Sequence, residues 1–434
     1  MMFEPKMERL PRPRLAELQF ERLRAVLTRV RDRVPFYSRR LADAGVRAED
    51  LGSPVDVRTL PFTSKSDLRE HYPFGLLAVR REEVARLHAS SGTKGKPTVV
   101  AYTKADLDLW AACCARSLAC AGARPGDVIH NAYGYGLFTG GLGLHYGAER
   151  LGAAVVPASG GNTARQVLLL QDFEAGVLCC TPSYALNIAG AAEAAGIDPR
   201  TLPVRIGVFG AEPWTVAMRE RIEEALNLRA LDIYGLSEVL GPGVAMECAE
   251  GRDGLHIWED HFLAEVIDPG SGQSLPEGEV GELVLTTLTK EAMPVIRYRT
   301  GDLTSLSAEP CPCGRTHRRM ARVSGRTDDM LIIRGVNVFP TEIERVLLTI
   351  AELSPHYRIV VDRPEALDSL EIQVEVGTVV NGIGPGEHGE ALRRHAARLL
   401  ESALGVSAAI SIQPQGSLPR SEGKAQRVLD RRTL

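Results

Sequence analysis

Apolar residues recur at helical spacing over residues 14–45, at Leu15, Leu18, Phe20, Leu23, Val26, Leu27 and Val30, which predicts that the chain opens on amphipathic helix. Beyond it the pattern alternates. Short β-branched runs at 98–101, 128–131, 154–157, 177–180, 206–210 and 230–233 are separated by helical stretches such as 104–121 and 214–226, with Gly or Pro at the joints. Strand and helix in turn predict an α/β domain with a largely parallel sheet. After Gly243 the texture shifts to short strands and turns at 262–267, 281–285 and 302–305, a β-rich subdomain. It shifts again at Asp328. A strand at 330–333, a capping box of Thr341 and Glu344, strands at 358–361 and 370–376, a helix over 388–404 and a strand at 408–413 predict α+β structure. The expected fold class is therefore α/β: a large N-terminal domain over 1–328 with mainly parallel sheets, its 244–328 part β-rich, and a small C-terminal α+β domain over 329–434. No internal repeat is evident, and the Gly- and Pro-rich stretch 381–389 reads as a surface loop.

At 434 residues each domain has room for a substantial core. With 44% hydrophobic and 24% charged residues the chain is far from the composition of disordered proteins. Fifty-one basic against fifty-five acidic residues leave a net charge of -4, so no global field points to nucleic acid or an anionic membrane. The first fourteen residues carry charge and proline where a signal peptide needs an apolar run, and no stretch approaches a membrane span. A cytoplasmic location is expected. Most of the eight cysteines, two adjacent pairs among them, read as small buried hydrophobes rather than a disulfide framework.

The sharpest local signal is Ser90-Ser91-Gly92-Thr93-Lys94-Gly95-Lys96-Pro97, directly before a strand. Glycines let backbone N–H groups, hydroxyls and ammonium groups close around phosphate oxygens, although a plain Gly-rich turn has the same composition. Tyr234-Gly235-Leu236-Ser237-Glu238 ends a predicted strand and offers a ring to stack on a base and a carboxylate for Mg²⁺, or else a buried tyrosine and a solvated glutamate. Asp302, after Gly301, suits ribose hydroxyls, and Arg326 of Gly325-Arg326-Thr327-Asp328 suits a phosphate. The bland reading of both is an acidic turn. Lys424, next to Gly423, by itself reads as surface charge.

The order of these pieces resembles the acyl-adenylate-forming superfamily, and in detail the phenylacetate-CoA ligase family. The similarity runs over essentially the whole chain, through Pro35-Phe36-Tyr37, Leu60-Pro61-Phe62-Thr63, the segments 133–143, 209–214, 234–243 and 256–260, and finally 419–425. The resemblance implies ATP, Mg²⁺ and coenzyme A as reactants or cofactors. Ser90, Ser91, Gly92, Thr93, Lys94, Gly95 and Lys96 would hold the ATP phosphates. Gly210, Ala211, Glu212, Asp232, Tyr234, Gly235 and Ser237 would line the nucleotide site. Glu238 would bind Mg²⁺, Asp302 the ribose, and Arg326 ribose or phosphate. Asp328 matches a hinge about which the small domain turns. Lys424 matches the lysine that bridges carboxylate and α-phosphate, and Gly335 the place where pantetheine passes. Lys94 departs from the family pattern, which usually has a hydroxyl residue there. The acid would be a small aryl carboxylate held by Tyr133, Tyr135, Gly136, Phe138, Gly141 and Leu236. Arylacetic acid is the expected substrate, with benzoate-, aminobenzoate- and indoleacetate-type acids as alternatives. No nucleic-acid or membrane partner is expected, and a homodimer is left open. An enzyme loading a carrier-protein thiol and a nucleotide sensor without catalysis remain as rival readings.

Cys311-Pro312-Cys313-Gly314 forms a tight knuckle, and Cys248 and His256 stand eight apart before it. Together they would make a Cys₃His set for structural Zn²⁺, although the spacing matches no standard finger. Four unrelated residues are the alternative.

Overall fold

The computed structural model describes residues 1–90, 97–327, 329–334, 336–363, 367–377, 387–420 and 426–432. The opening helical pattern forms two helices, Arg12–Arg33 and Pro35–Asp43, because Pro35 cannot continue the first and suits the first turn of the second. Contacts divide the chain into two compact units. One gathers 1–180, 203–211 and 229–323, and the other 181–202, 212–228 and 324–434.

In the first unit the strands are β1 (Arg86–Ala89), β2 (Val99–Tyr102), β3 (Val128–Asn131), β4 (Ala154–Val156), β5 (Val177–Cys180), β6 (Ile206–Gly210), β7 (Arg229–Leu236), β8 (Gly241–Glu247) and β9 (Leu255–Ile257). β4, β3, β5, β6 and β7 lie side by side and parallel. β8 and β9 continue the sheet antiparallel, followed by the two-residue strands Arg319–Met320 and Leu306–Ser307. β3, β5 and β6 are almost wholly buried, as expected of parallel strands covered on both faces. Beside this sheet, Phe262–Ile267, Gly281–Thr287 and Tyr298–Thr304 pair antiparallel.

The helix Lys104–Ala121 runs close to the helix Gly140–Leu151. A Cβ on Gly147 would stand 2.4 Å from that of Cys114 and 2.9 Å from the Cys114 carbonyl carbon. The cysteines here act as compact apolar side chains, and burial pushes the Cys113 thiol up to about 12. Gly147→Ala is expected to cost about 1–3 kcal/mol by overpacking this crossing. Urea unfolding measures the loss, and an unchanged midpoint would show that the helices separate freely.

The second unit has its own core around Ile343, Ile359, Ile372 and Leu400. The strands Leu353–Asp362 and Ser369–Val376 pair antiparallel, flanked by parallel partners Val428–Asp430 and Ala409–Gln413. The expected capping box does not form. The helix begins at Pro340, with Phe339 as its cap residue, so Thr341 lies inside the first turn and donates to the Ser324 carbonyl at 2.7 Å. Glu344 is buried and accepts from Tyr357 Oη at 3.1 Å instead of reaching back to a backbone amide. Proline at the first helical position sets the helix start two residues earlier than a cap at Thr341 would.

Candidate active site

The ends of β6 and β7 are pressed together. A Cβ on Gly210 would sit 2.2 Å from the Ile233 carbonyl oxygen, so only glycine fits. Ala211 follows with φ of +69°, a left-handed backbone that costs a non-glycine residue about 1–3 kcal/mol and tends to persist at functional sites. The Asp232 amide donates to Glu247 Oε2 at 3.1 Å, and its carboxylate lies 3.4 Å from Arg322 Nε. Two residues on, Tyr234 Oη donates to Asp302 Oδ2 at 2.6 Å. The structure thus brings together two predicted nucleotide-site residues 68 positions apart. Asp302 reaches this place from the strand Tyr298–Thr304, whose register slips between Glu282 and Val284, close to Gly301 with φ of +77°.

After Tyr234 the chain turns back on itself, and a Cβ on Gly235 would stand 2.0 Å from the Gly241 carbonyl oxygen. The turn rests on aromatic packing. Tyr102 donates to the Leu240 carbonyl at 2.7 Å, Trp110 Nε1 to that of Pro242 at 3.0 Å, and the two rings stack 5.2 Å apart. Ser237 Oγ meets Thr139 Oγ1 at 3.0 Å. Glu238 is buried, yet among the described residues its carboxylate takes no hydrogen bond, which leaves its lone pairs for a hard cation. Lys290, absent from the sequence reading, lies beneath. Its ammonium is wholly buried, 4.9 Å from the Tyr102 ring centre and 3.5 Å from the Glu238 carbonyl oxygen. Burial pushes it down to about 8, against the pull of Asp106 and Glu238.

Residues 91–96 lie outside the described residues, and so do Asp328, Gly335 and Lys424. At the edges of 91–96, Ser90 N donates to the Thr98 carbonyl at 2.9 Å. The hydroxyls of Ser90 and Thr98 are buried without a partner among the described residues. Orphaned donors of this kind fit a phosphate ligand, and Thr98 was not singled out from sequence.

Of the expected acid-binding residues, Tyr133 and Gly141 are buried beside Asn131, and Tyr135 and Leu236 are half-buried. Gly136 and Phe138 are exposed, Phe138 by 51%, on the outer part of the same loop.

In the second unit, Glu212 Oε1 accepts the Ser183 amide at 2.8 Å in the first turn of the helix Pro182–Ala194. Arg326 Nε lies 3.7 Å from Asp329 Oδ2. Arg420 makes a two-pronged pair with the buried Glu375 at 2.8 and 2.7 Å, and Arg427 lies 2.5 Å from Glu344. Ion pairs to buried carboxylates therefore hold the chain before and after residues 421–425.

The cysteine and histidine set does come together. The ligand atoms of Cys248, His256, Cys311 and Cys313 all lie within 4.8 Å of one another. Cys248 Sγ is 3.4 Å from Cys311 Sγ, and Cys313 Sγ is 3.3 Å from His256 Nε2. Bonds of about 2.3 Å to sulfur and about 2.0 Å to nitrogen imply tetrahedral edges of about 3.5–3.8 Å, close to these separations. His256 Nδ1 donates to the His317 carbonyl at 3.1 Å, which turns Nε2 towards the sulfurs. Pairing of His256 with Arg319 places the Cys311–Cys313 knuckle beside β9. A Cβ on Gly251 would touch two sulfurs, at 2.9 and 3.1 Å.

Comparison with known proteins gives two family matches: AMP-binding enzyme over residues 13–288, and AMP-binding enzyme C-terminal domain over residues 335–432. A phenylacetate-coenzyme A ligase of Thermus thermophilus is 56% identical over 444 residues, covering 100% of both chains. Among solved structures, 2-hydroxyisobutyryl-CoA ligase in its postadenylation state, in complex with R3-HIB-AMP, matches with a TM-score of 0.92 at 32% identity, covering 99% of this chain and 92% of that one. The same enzyme in its thioesterification state, with 2-HIB-AMP and CoA, matches with a TM-score of 0.74 at 33% identity, covering 98% and 91%.

Proposed function

This chain belongs to the AMP-binding enzyme family, within the phenylacetate-coenzyme A ligases, and from that premise we propose that it joins an arylacetic acid, best phenylacetate, to coenzyme A at the expense of ATP. The observation that carries the reading is identity of 56% with a ligase of that name, end to end in both chains.

The acid's carboxylate attacks the α-phosphorus of ATP, the bond to pyrophosphate breaks, and an acyl-adenylate forms. The coenzyme A thiol then attacks the acyl carbon and AMP leaves. Anion meets anion in the first step, so positive charge must stand at the α-phosphate. One unit charge pair at 4 Å is worth about 4 kcal/mol at an effective dielectric of 20. Mg²⁺, when bound, neutralises phosphate charge, and Glu238 is the carboxylate suited to hold it. Lys424 would supply the second charge. Tyr234 and Asp302, already joined, would hold adenine and ribose, and Ser90 with the 91–96 segment would hold the phosphates. Asp328 would be the hinge that exchanges Lys424 for the thiol route past Gly335.

Asp302→Ala is expected to raise the KM for ATP by about 10- to 100-fold, the worth of charge-assisted bonds to two hydroxyls. An unchanged KM in steady-state kinetics would remove Asp302 from the ribose site. The reaction itself is tested by its products from phenylacetate, MgATP and coenzyme A. Phenylacetyl-CoA with AMP and pyrophosphate is expected, and ADP with phosphate would refute the adenylate route.

Cys248, His256, Cys311 and Cys313 would hold one structural Zn²⁺. Four protein ligands leave no open position for catalysis. No described helix is long and apolar enough to cross a membrane. The reading places the enzyme in the cytoplasm, where thiolate ligands of such a site would stay reduced.

A further inference from the structure

We propose that Asn131, His145 and Glu149 form a positioning set that locks the Tyr135 ring as a fixed wall of the acid site, and thereby favours ring-bearing acids over alkyl acids. This rests on the reading above that the 133–143 segment receives the acid.

Tyr135 stands on a loop held through its backbone, at Tyr135 N by Ser159 Oγ at 3.4 Å and at the Leu137 carbonyl by the Ala89 amide at 3.0 Å, and none of these bonds fixes the ring. Gly134 and Gly136 flank it, and neither would meet any atom if given a Cβ, so the backbone there is both permissive and uncrowded. Leu137 and Phe138, next along, are more than half exposed. An aromatic ring on such a support swings unless its tip is held.

The tip is held from two sides. Asn131, wholly buried at the end of β3, donates from Nδ2 to Tyr135 Oη at 2.8 Å and to the Gly141 carbonyl at 2.8 Å. It therefore ties the ring to the start of the helix Gly140–Leu151. His145, on that helix, brings Nδ1 to 3.2 Å from Tyr135 Oη, its ring edge-on at 5.7 Å between centres. Its other nitrogen lies 3.2 Å from Glu149 Oε1, one turn further on.

These partners set the direction of every bond. Glu149 accepts, so in the neutral imidazole Nε2 carries the proton and Nδ1 presents a lone pair. The phenol accepts from Asn131 and gives its single proton to His145. Its polar capacity is spent on the protein apart from one lone pair, and what the loop offers to a ligand is the ring itself. Burial raises the phenol to about 12, so it remains protonated and able to donate. A rigid flat wall rewards a flat ligand because no ordering cost falls due on binding.

The test compares phenylacetate with hexanoate in MgATP-dependent pyrophosphate release. His145→Leu is expected to raise the KM for phenylacetate by about 5- to 10-fold, with kcat and the hexanoate KM changed by less than about twofold, the scale of one lost hydrogen bond. His145→Asn places an amide oxygen near the site of Nδ1 and is expected to restore the preference. In a Tyr135→Phe background, His145→Leu is expected to add nothing. Equal losses for both acids, failure of His145→Asn to rescue, or an undiminished effect in the Tyr135→Phe background would each overturn the lock and leave His145 as a packing residue. A wild-type protein that releases pyrophosphate with neither acid would overturn the ligase reading itself, and the inference with it.

Discussion

Lys424→Ala is expected to slow acyl-adenylate formation by about 10²- to 10³-fold, the usual cost of removing one donor aimed at developing charge. The same variant, given preformed phenylacetyl-adenylate and coenzyme A, should make thioester at a rate close to wild type. The separation follows from charge. Adenylation brings a carboxylate to a triphosphate and needs an ammonium between them, whereas thiolysis of the adenylate expels AMP and needs the same space for sulfur. Stopped adenylation with intact transfer is thus the signature of a lysine that serves one step only. Single-turnover measurements of the two half-reactions decide it, and equal losses in both would remove Lys424 from this role. Arg420 with Glu375 and Arg427 with Glu344 fasten the described chain before and after the segment that holds this lysine.

The second large effect concerns the metal. Protein purified without a His-tag should hold one zinc per chain, and a strong chelator or Cys313→Ser should remove it and lower the thermal midpoint by about 10 °C, since binding energy at a closed site is folding energy. The loss should appear in stability before it appears in the chemistry. The knuckle also anchors the N-terminal residues. Arg315, two residues past Cys313, pairs with the buried Glu8 at 2.6 Å, and the Thr316 amide donates to the Glu8 carbonyl at 3.1 Å. Limited proteolysis should therefore cut near residue 10 once the metal is gone. Well under one zinc per chain, with a midpoint indifferent to chelator, would make the four residues a hydrogen-bonded cluster and no more.

Much of the first unit could be read from local pattern. The runs at 128–131, 177–180 and 206–210 and the helix 104–121 coincide with observed elements, because buried parallel strands are continuous apolar runs and their joints are marked by Gly and Pro. Local pattern fails where the partner is distant. Glu8 looked like one more charge arguing against a signal peptide, and it is a buried anion matched by an arginine 307 residues away. Lys290 carries no motif, and what covers its ammonium, the Tyr102 ring and the Glu238 carbonyl, is distant in sequence. Phe138 was expected in an apolar slot on account of its aromatic type, and its ring is half exposed before any acid is bound. The cysteine and histidine set was the opposite case. Its spacing fits no standard finger, yet antiparallel pairing of β8 with β9, and of β9 with Arg319–Met320, brings its parts together.

The central claim is that this chain activates an aryl acid as its adenylate and discharges it to coenzyme A. Pyrophosphate release with MgATP, over phenylacetate, benzoate, aminobenzoate, indoleacetate and short fatty acids, with and without coenzyme A, tests it most directly. Release that depends on phenylacetate and turns over repeatedly only when coenzyme A is present is the predicted result. A single turnover that coenzyme A does not extend, or no release with any acid, would contradict it.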